Sequence, residues 1–205
     1  REILEPGLRM LEDRLHVPVV GVMPWMQTEI DDEDSVTERF HRTLPAGGDV
    51  DVAVIRLAYM SNFTDLTALA LEPGVRVRYV DDPADLGEPD LIVLPGSKNT
   101  IEDLSRLRAS GMDQAIILHA QQGRNVIGIC GGYQMLARSL QDPNHLESHV
   151  PAFEGLGLLD MEVTFLPQKT TVQSAGLILR ASGIMSGLDG ITVEGYEIHM
   201  GTNRF

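Results

Sequence analysis

The chain has 205 residues, 43% of them hydrophobic and 22% charged, with a formal charge of −14. That composition suits an ordinary globular protein with room for one α/β domain and a short appendage. The charge argues against a nucleic-acid partner, whose phosphates most of the surface would repel. No apolar run approaches the ~20 residues of a bilayer span, so no membrane partner is expected.

A helix is predicted over residues 1–16, where Ile3, Leu4, Leu8, Leu11 and Leu15 recur at helical spacing. "VPVVGVMPW" (17–25) reads as a short buried strand. Residues 28–50 are acidic, then rich in proline and glycine, and read as a linker with a domain boundary near residue 47. From Asp51 strands and helices alternate. "DVAVIRL" (51–57), "VRVRYV" (75–80), "DLIVLPGS" (90–97) and "NVIGIC" (125–130) read as strands. Helices are predicted over 61–71 with a Ser61/Asn62 cap, over 99–111 with Asn99 or Thr100 as cap, over 110–123, and over 131–141. The remainder, from Leu156 onward, looks β-rich. Alternation of this kind implies a three-layer α/β fold: an open, mostly parallel sheet with helices on both faces.

The chemistry concentrates at the lone cysteine. G-I-C-G-G (128–132) follows a strand and opens a helix, the pattern of a nucleophile elbow. The strained turn needs glycines where the backbone must pass neighbouring elements closely. It sets Cys130 at the C-terminal edge of the sheet and at a helix N-terminus, whose free N–H groups favour thiolate. Thiolate is the species that attacks an amide carbon. The tetrahedral oxyanion then needs donors: the N–H of Gly131 is one, and "LPGSKNT" (94–100), a glycine turn closing another buried strand, offers the second. The competing reading is a buried, inert thiol beside a glycine-rich loop. The elbow and the second glycine turn together favour the nucleophile.

Other candidates are weaker. His119 on a helix face, and His145 and His149 in a polar loop, suit core or surface roles. The last two are four apart, but no carboxylate or cysteine cluster joins them, so no metal is expected. The acidic run 29–34 lacks the glycine and spacing of a calcium loop.

"LPGSKNTIEDL", "GICGGYQML" and "EGYEIHMG" resemble the cobyric acid synthase and cobyrinate diamide synthase branch of class I glutamine amidotransferases, and within it the cobyric acid synthase type. The resemblance covers essentially the whole chain and implies a flavodoxin-like fold and hydrolysis of glutamine by a thiol. It assigns residues 1–46 to the end of an N-terminal ATP-dependent synthetase domain plus linker, and 47–205 to the amidotransferase domain. Cys130 becomes the nucleophile, Gly96 and Gly131 line the oxyanion hole, and Gln134 borders the glutamine pocket. The implied partners are glutamine and the enzyme's own synthetase domain, where ATP and magnesium would act on corrin carboxylates. No cofactor is implied for this chain. It has no phosphate loop, no signal peptide and no methionine at position 1, and it reads as a cytoplasmic fragment of a longer enzyme.

In that family the base histidine of a Y-x-H-G-type motif stands further from the cysteine than Phe205 does. The resemblance therefore places the base beyond Phe205 and makes the fragment alone weak or inactive. His199 in "YEIHMG" is the substitute candidate within the chain. Two rival readings remain: the glutaminase domain of a related ligase, acting on cobyrinic acid or a cell-wall lipid, and a non-catalytic docking module of the same fold.

Overall fold

The computed structural model describes residues 4–24, 49–61 and 63–205, with only the backbone of Phe63. The chain divides into two compact units, Arg1–Asp31 and Asp32–Phe205. In the first, helix α1 (Glu5–Leu15) begins with Pro6 in its first turn and ends where His16 turns left-handed, with φ 53°. None of its residues is buried. The segment after it, expected to be a buried strand, is not one: residues 17–24 have no regular structure, and Val20 and Met23 are 98% and 82% exposed. A strand needs a ladder partner, and Pro18 and Pro24 have no N–H to offer one. The only hydrogen bond described there runs from the Val19 N–H to the Glu12 carboxylate at 2.8 Å. Of the linker predicted over 28–50, residues 28–48, with the boundary near residue 47, lie outside the described residues, and its last residue, Val50, already belongs to a strand.

In the second unit, four parallel strands form one sheet. They are β1 (Val50–Ile55), β3 (Val75–Val80), β4 (Leu91–Leu94) and β6 (Asn125–Gly128), in the order β3-β1-β4-β6. Alternate residues of β1 divide between two cores. Ala53 and Ile55, with Ile92 and Leu94 of β4, pack against Ile101, Leu104 and Leu107 of helix α3 (Thr100–Ser110) and against Met112 and Ile116 of helix α4 (Met112–Gln121). Val52 and Val54, with Val77 and Val93, pack on the other side with Leu66. Each such side chain removed from water contributes roughly 1.5–3 kcal/mol, so both faces must be covered, as a parallel sheet requires. The α/β class and flavodoxin-like strand order follow.

Three expected elements are shorter than their sequence patterns. The helix predicted over 61–71 begins instead as strand β2 (Met60–Ser61), followed by a 3-10 turn (Phe63–Leu66) and helix α2 (Thr67–Leu71). Ser61 pairs with Gly96 in the antiparallel ladder between β2 and β5 (Gly96–Ser97), so its backbone serves a strand and not a helix cap. The strand expected over 90–97 is interrupted at Pro95 between β4 and β5.

The helix expected over 131–141 stops at Met135 (α5, Gly131–Met135) and is followed by strand β7 (Ser139–Gln141). The carbonyls that would extend the helix are taken from outside it. Leu156 N–H donates to Met135, Leu158 and Leu159 N–H to Leu136, and Gly157 N–H to Ala137, all at 2.8–2.9 Å. Leu140 is then buried in a second sheet of order β10-β9-β7-β8, made with β8 (Ala152–Glu154), β9 (Glu162–Leu177) and β10 (Thr192–Arg204). β9 and β10 form a long antiparallel hairpin, largely exposed beyond Phe165.

Candidate active site

The end of β6 carries Cys130 at φ 51°, ψ −110°, a conformation that costs a non-glycine residue about 1–3 kcal/mol and persists only where its surroundings impose it. The surroundings are backbone. Ile129 N–H donates to the Leu94 carbonyl, Gly132 N–H to that of Ile129, both at 2.9 Å, and Gln134 N–H to that of Cys130 at 3.1 Å. A side chain on Gly128 would lie 2.6 Å from the Tyr133 Cα, and one on Gly132 would run into the Leu94 carbonyl. The thiol itself is free and exposed.

The second glycine turn lies against the elbow. A Cβ on Gly131 would stand 2.9 Å from the Ser97 amide nitrogen, and one on Gly96 would stand 2.7 Å from Ser61 Oγ. Gly131 opens α5, so its N–H has no acceptor within the helix, and none outside it among the described residues. The ends of β4 and β6 thus bring Gly96, Ser97, Cys130 and Gly131 together.

Two carboxylates that sequence reading did not single out brace this arrangement. Asp103, 1% exposed, accepts from Ala58 N–H at 2.9 Å, from Tyr59 N–H at 3.2 Å and from Ser97 Oγ–H at 2.6 Å. Burial pushes its carboxyl above the ordinary range, against these lowering hydrogen bonds. Glu147 accepts from the Thr100 and Ile101 N–H groups at 2.7 and 3.2 Å, capping α3 together with Asn99, whose side chain accepts from Glu102 N–H. Burial raises Glu147 as well. Its loop hangs on Asp142, 0% exposed, which accepts from the N–H groups of Leu146, Glu147 and Ser148 at 2.7–2.9 Å. Thr100 Oγ1 in turn donates to Gln134 Oε1 at 3.3 Å, linking the capped helix to α5. Asp103 looks in sequence like an ordinary first-turn acid of a helix. Glu147 lies 47 residues from Thr100, beyond any local pattern.

His199, His119 and His145 have other partners. His199 Nε2 sits 2.7 Å from Glu197 Oε1 on β10, and Glu197 also accepts from Ser174 Oγ. These bonds, led by that of His199, hold the Glu197 carboxyl below its usual value. No hydrogen bond joins His199 to Cys130 among the described residues. His119, 4% exposed, faces the Asn125 carbonyl at 3.2 Å, and burial lowers its pKa. His145 meets the Ser148 carbonyl at 3.3 Å. Among the described residues, no group of three His, Cys, Asp or Glu side chains is placed to hold a metal ion, and no helix is long and apolar enough to cross a membrane.

Residues 51–205 match the model of the CobB/CobQ-like glutamine amidotransferase domain. The chain is 47% identical over 204 residues to a cobyric acid synthase of Thermoanaerobacter sp. (strain X514), covering 99% of this chain and 40% of that protein. It is 50% identical over 200 residues to the cobyric acid synthase of Ruminiclostridium cellulolyticum, covering 98% and 38%. It therefore spans about two fifths of the length of these relatives. A chain from the structure of PurLQS from Thermotoga maritima superposes with a TM-score of 0.56 over 74% of this chain and 67% of that one; at 17% identity this speaks for the fold alone. The match over 51–205, on the sheet and elbow described above, places the chain in the CobB/CobQ-like glutamine amidotransferase family.

Proposed function

We propose that this chain is the glutamine-hydrolysing domain of a cobyric acid synthase, with Cys130 as nucleophile. The observation that carries the reading is the elbow. An exposed thiol is held at positive φ beside a backbone N–H that has no acceptor among the described residues, and the Gly96–Ser97 turn lies against both. In this scheme Cys130 Sγ attacks the side-chain amide carbon of glutamine, forming a C–S bond as the carbonyl π pair moves to oxygen. Gly131 N–H and an amide of the Gly96–Ser97 turn stabilise that oxyanion. Collapse breaks the C–N bond, and the nitrogen leaves as ammonia carrying the proton the thiol gave up. Water then hydrolyses the thioester to glutamate and restores the thiol. Gln134 borders the pocket from α5.

Proton transfer to the leaving nitrogen contributes roughly 10²–10⁴ in rate and needs a group within hydrogen-bond reach. His199 is engaged with Glu197 and has no hydrogen bond to Cys130 among the described residues, so the reading assigns the transfer to another group. The released ammonia would serve ATP-dependent amidation of corrin carboxylates in the synthetase portion of the full-length protein, in the cytoplasm. ATP and magnesium belong to that portion, and calorimetry of this chain with both should show no binding.

The test is amidation by the full-length protein with glutamine or with ammonium salt as nitrogen source. Glutamine-dependent product that is lost on labelling Cys130 with a glutamine-mimicking diazoketone supports the reading. Labelling at another residue, or glutamine use that survives it, overturns the reading. The high identity to cobyric acid synthases favours the corrin acceptor of those enzymes over the cobyrinic acid or lipid acceptors of related ligases.

A further inference from the structure

We infer that Asp103 is a positioning residue for the oxyanion turn, acting through the Ser97 hydroxyl on the backbone that faces Gly131. The inference rests on the amidotransferase reading above. Its basis is the hydrogen-bond pattern at the ends of β1 and β4. Asp103 is the acceptor for three donors from two separate segments: Ala58 and Tyr59 after β1, and Ser97 on β5. Ser97 Oγ, while donating to Asp103, accepts the Asn99 N–H at 3.0 Å, so its proton and one lone pair are engaged and its rotamer is set. The backbone just beyond is set too, since Lys98 N–H donates to the Tyr59 carbonyl at 2.9 Å. One buried carboxylate thereby fixes the turn on both sides of Ser97, whose amide nitrogen borders Gly131.

A donor aimed at developing charge is effective only when it does not have to reorganise as the charge forms. Gly96 supplies no side chain to hold the turn, and the bonds to Asp103 take over that task. A carboxylate buried to 1% exposure would otherwise be an expensive residue to keep at the first turn of a helix whose cap, Asn99, already serves Glu102.

The experiment uses the full-length protein and compares Asp103→Asn and Ser97→Ala with the unaltered chain. Asparagine keeps the oxygen facing Ala58 and Tyr59 but replaces the acceptor of the Ser97 hydroxyl with a donor. Ser97→Ala removes the hydroxyl alone and carries the test should the buried substitution fail to fold. Three readings are taken: glutamine kcat and KM, the inhibition constant of a glutamyl aldehyde that forms a tetrahedral adduct on the thiol, and the rate of Cys130 alkylation by iodoacetamide, a displacement that develops no oxyanion. Removing an oxyanion donor outright lowers kcat by roughly 10²–10³, so loosening one should lower kcat, and weaken the aldehyde in parallel, by about tenfold. Glutamine KM and the alkylation rate should change little. Unchanged kcat and aldehyde binding in a folded variant overturn the inference. So does a parallel loss of all three readings, which marks Asp103 as merely structural. Absence of glutamine hydrolysis in the unaltered protein would instead remove the amidotransferase reading, and this inference with it.

Discussion

The elbow and the β9–β10 hairpin both carry a residue that the sequence marks as a catalytic candidate, and they are built in opposite ways. Around Cys130 every glycine is a point of contact: side chains at 128, 131 or 132 would collide with Tyr133, Ser97 or Leu94. Around His199 the only described restraints are the ladder to β9 and a hydrogen bond with Glu197, and neighbouring Tyr196 and Ile198 are 76% and 50% exposed. A strained thiol held by backbone bonds to β4 and within its own turn is a preorganised site. A half-buried histidine on the hairpin, hydrogen-bonded to Glu197, has no such backbone frame. The contrast shows that motif residues become chemistry only where tertiary contacts over-determine them.

The largest effect expected is at the elbow. Cys130→Ser in the full-length protein should lower glutamine-dependent amidation by roughly 10³-fold or more, the scale of nucleophile removal. Glutamine use at the unaltered rate would erase the contrast. Next comes the backbone itself. Gly132→Ala should destabilise the domain by about 3 kcal/mol, because the new methyl meets the backbone carbonyl that ends β4 and not a side chain that can turn away. Urea unfolding reads this directly. A midpoint equal to that of the unaltered chain would mean the elbow tolerates slack.

Smaller effects should accompany the supporting carboxylates. Glu147→Ala should cost about 1 kcal/mol through the lost cap of α3, again by urea midpoint, whereas Glu147→Gln keeps an acceptor and should lose less. Equal losses for the two would show that packing, and not the hydrogen bonds to Thr100 and Ile101, explains the residue.

Asp51 adds a dependence on pH. Burial alone would raise its carboxyl above 3.8, but hydrogen bonds and charge from Arg78 and Arg76 outweigh burial and hold it below. A depressed carboxyl contributes stability that is complete above its unfolded-state value and fades as pH falls through the folded one. The acid limb of the stability profile should therefore steepen below about pH 4, and Asp51→Asn should flatten it. An unchanged acid limb would show that the pair with the two arginines is not felt in solution. Glu147 and Asp103, raised by burial, contribute with the opposite sign: their share is complete below the unfolded value and fades as pH rises through the raised one.

The smallest effect belongs to the other region. His199→Ala should leave the thermal midpoint and the rate and pH profile of Cys130 alkylation where they were. A displaced profile would make His199 the base and dissolve the contrast between the two regions.

By sequence alone, the alternation of strands and helices from Asp51, the cap at Asn99, and the elbow around Cys130 were all legible. Each is a local property: period, cap chemistry and glycine spacing act within a few residues. What tertiary structure decided lies wherever a competing partner is distant in the chain. Residues 131–141 have a helical pattern throughout, yet N–H groups from 156–159 take the carbonyls after Met135 and turn Ser139–Gln141 into a strand. Ser61 carries a cap's chemistry but is claimed by Gly96. "VPVVGVMPW" carries the apolar content of a strand but, within the described residues 17–24, finds no ladder partner. Asp103 and Glu147 were hidden for the same reason: Ala58 and Thr100, which donate to them, lie 45 and 47 residues away, where only the folded chain brings them within hydrogen-bond distance.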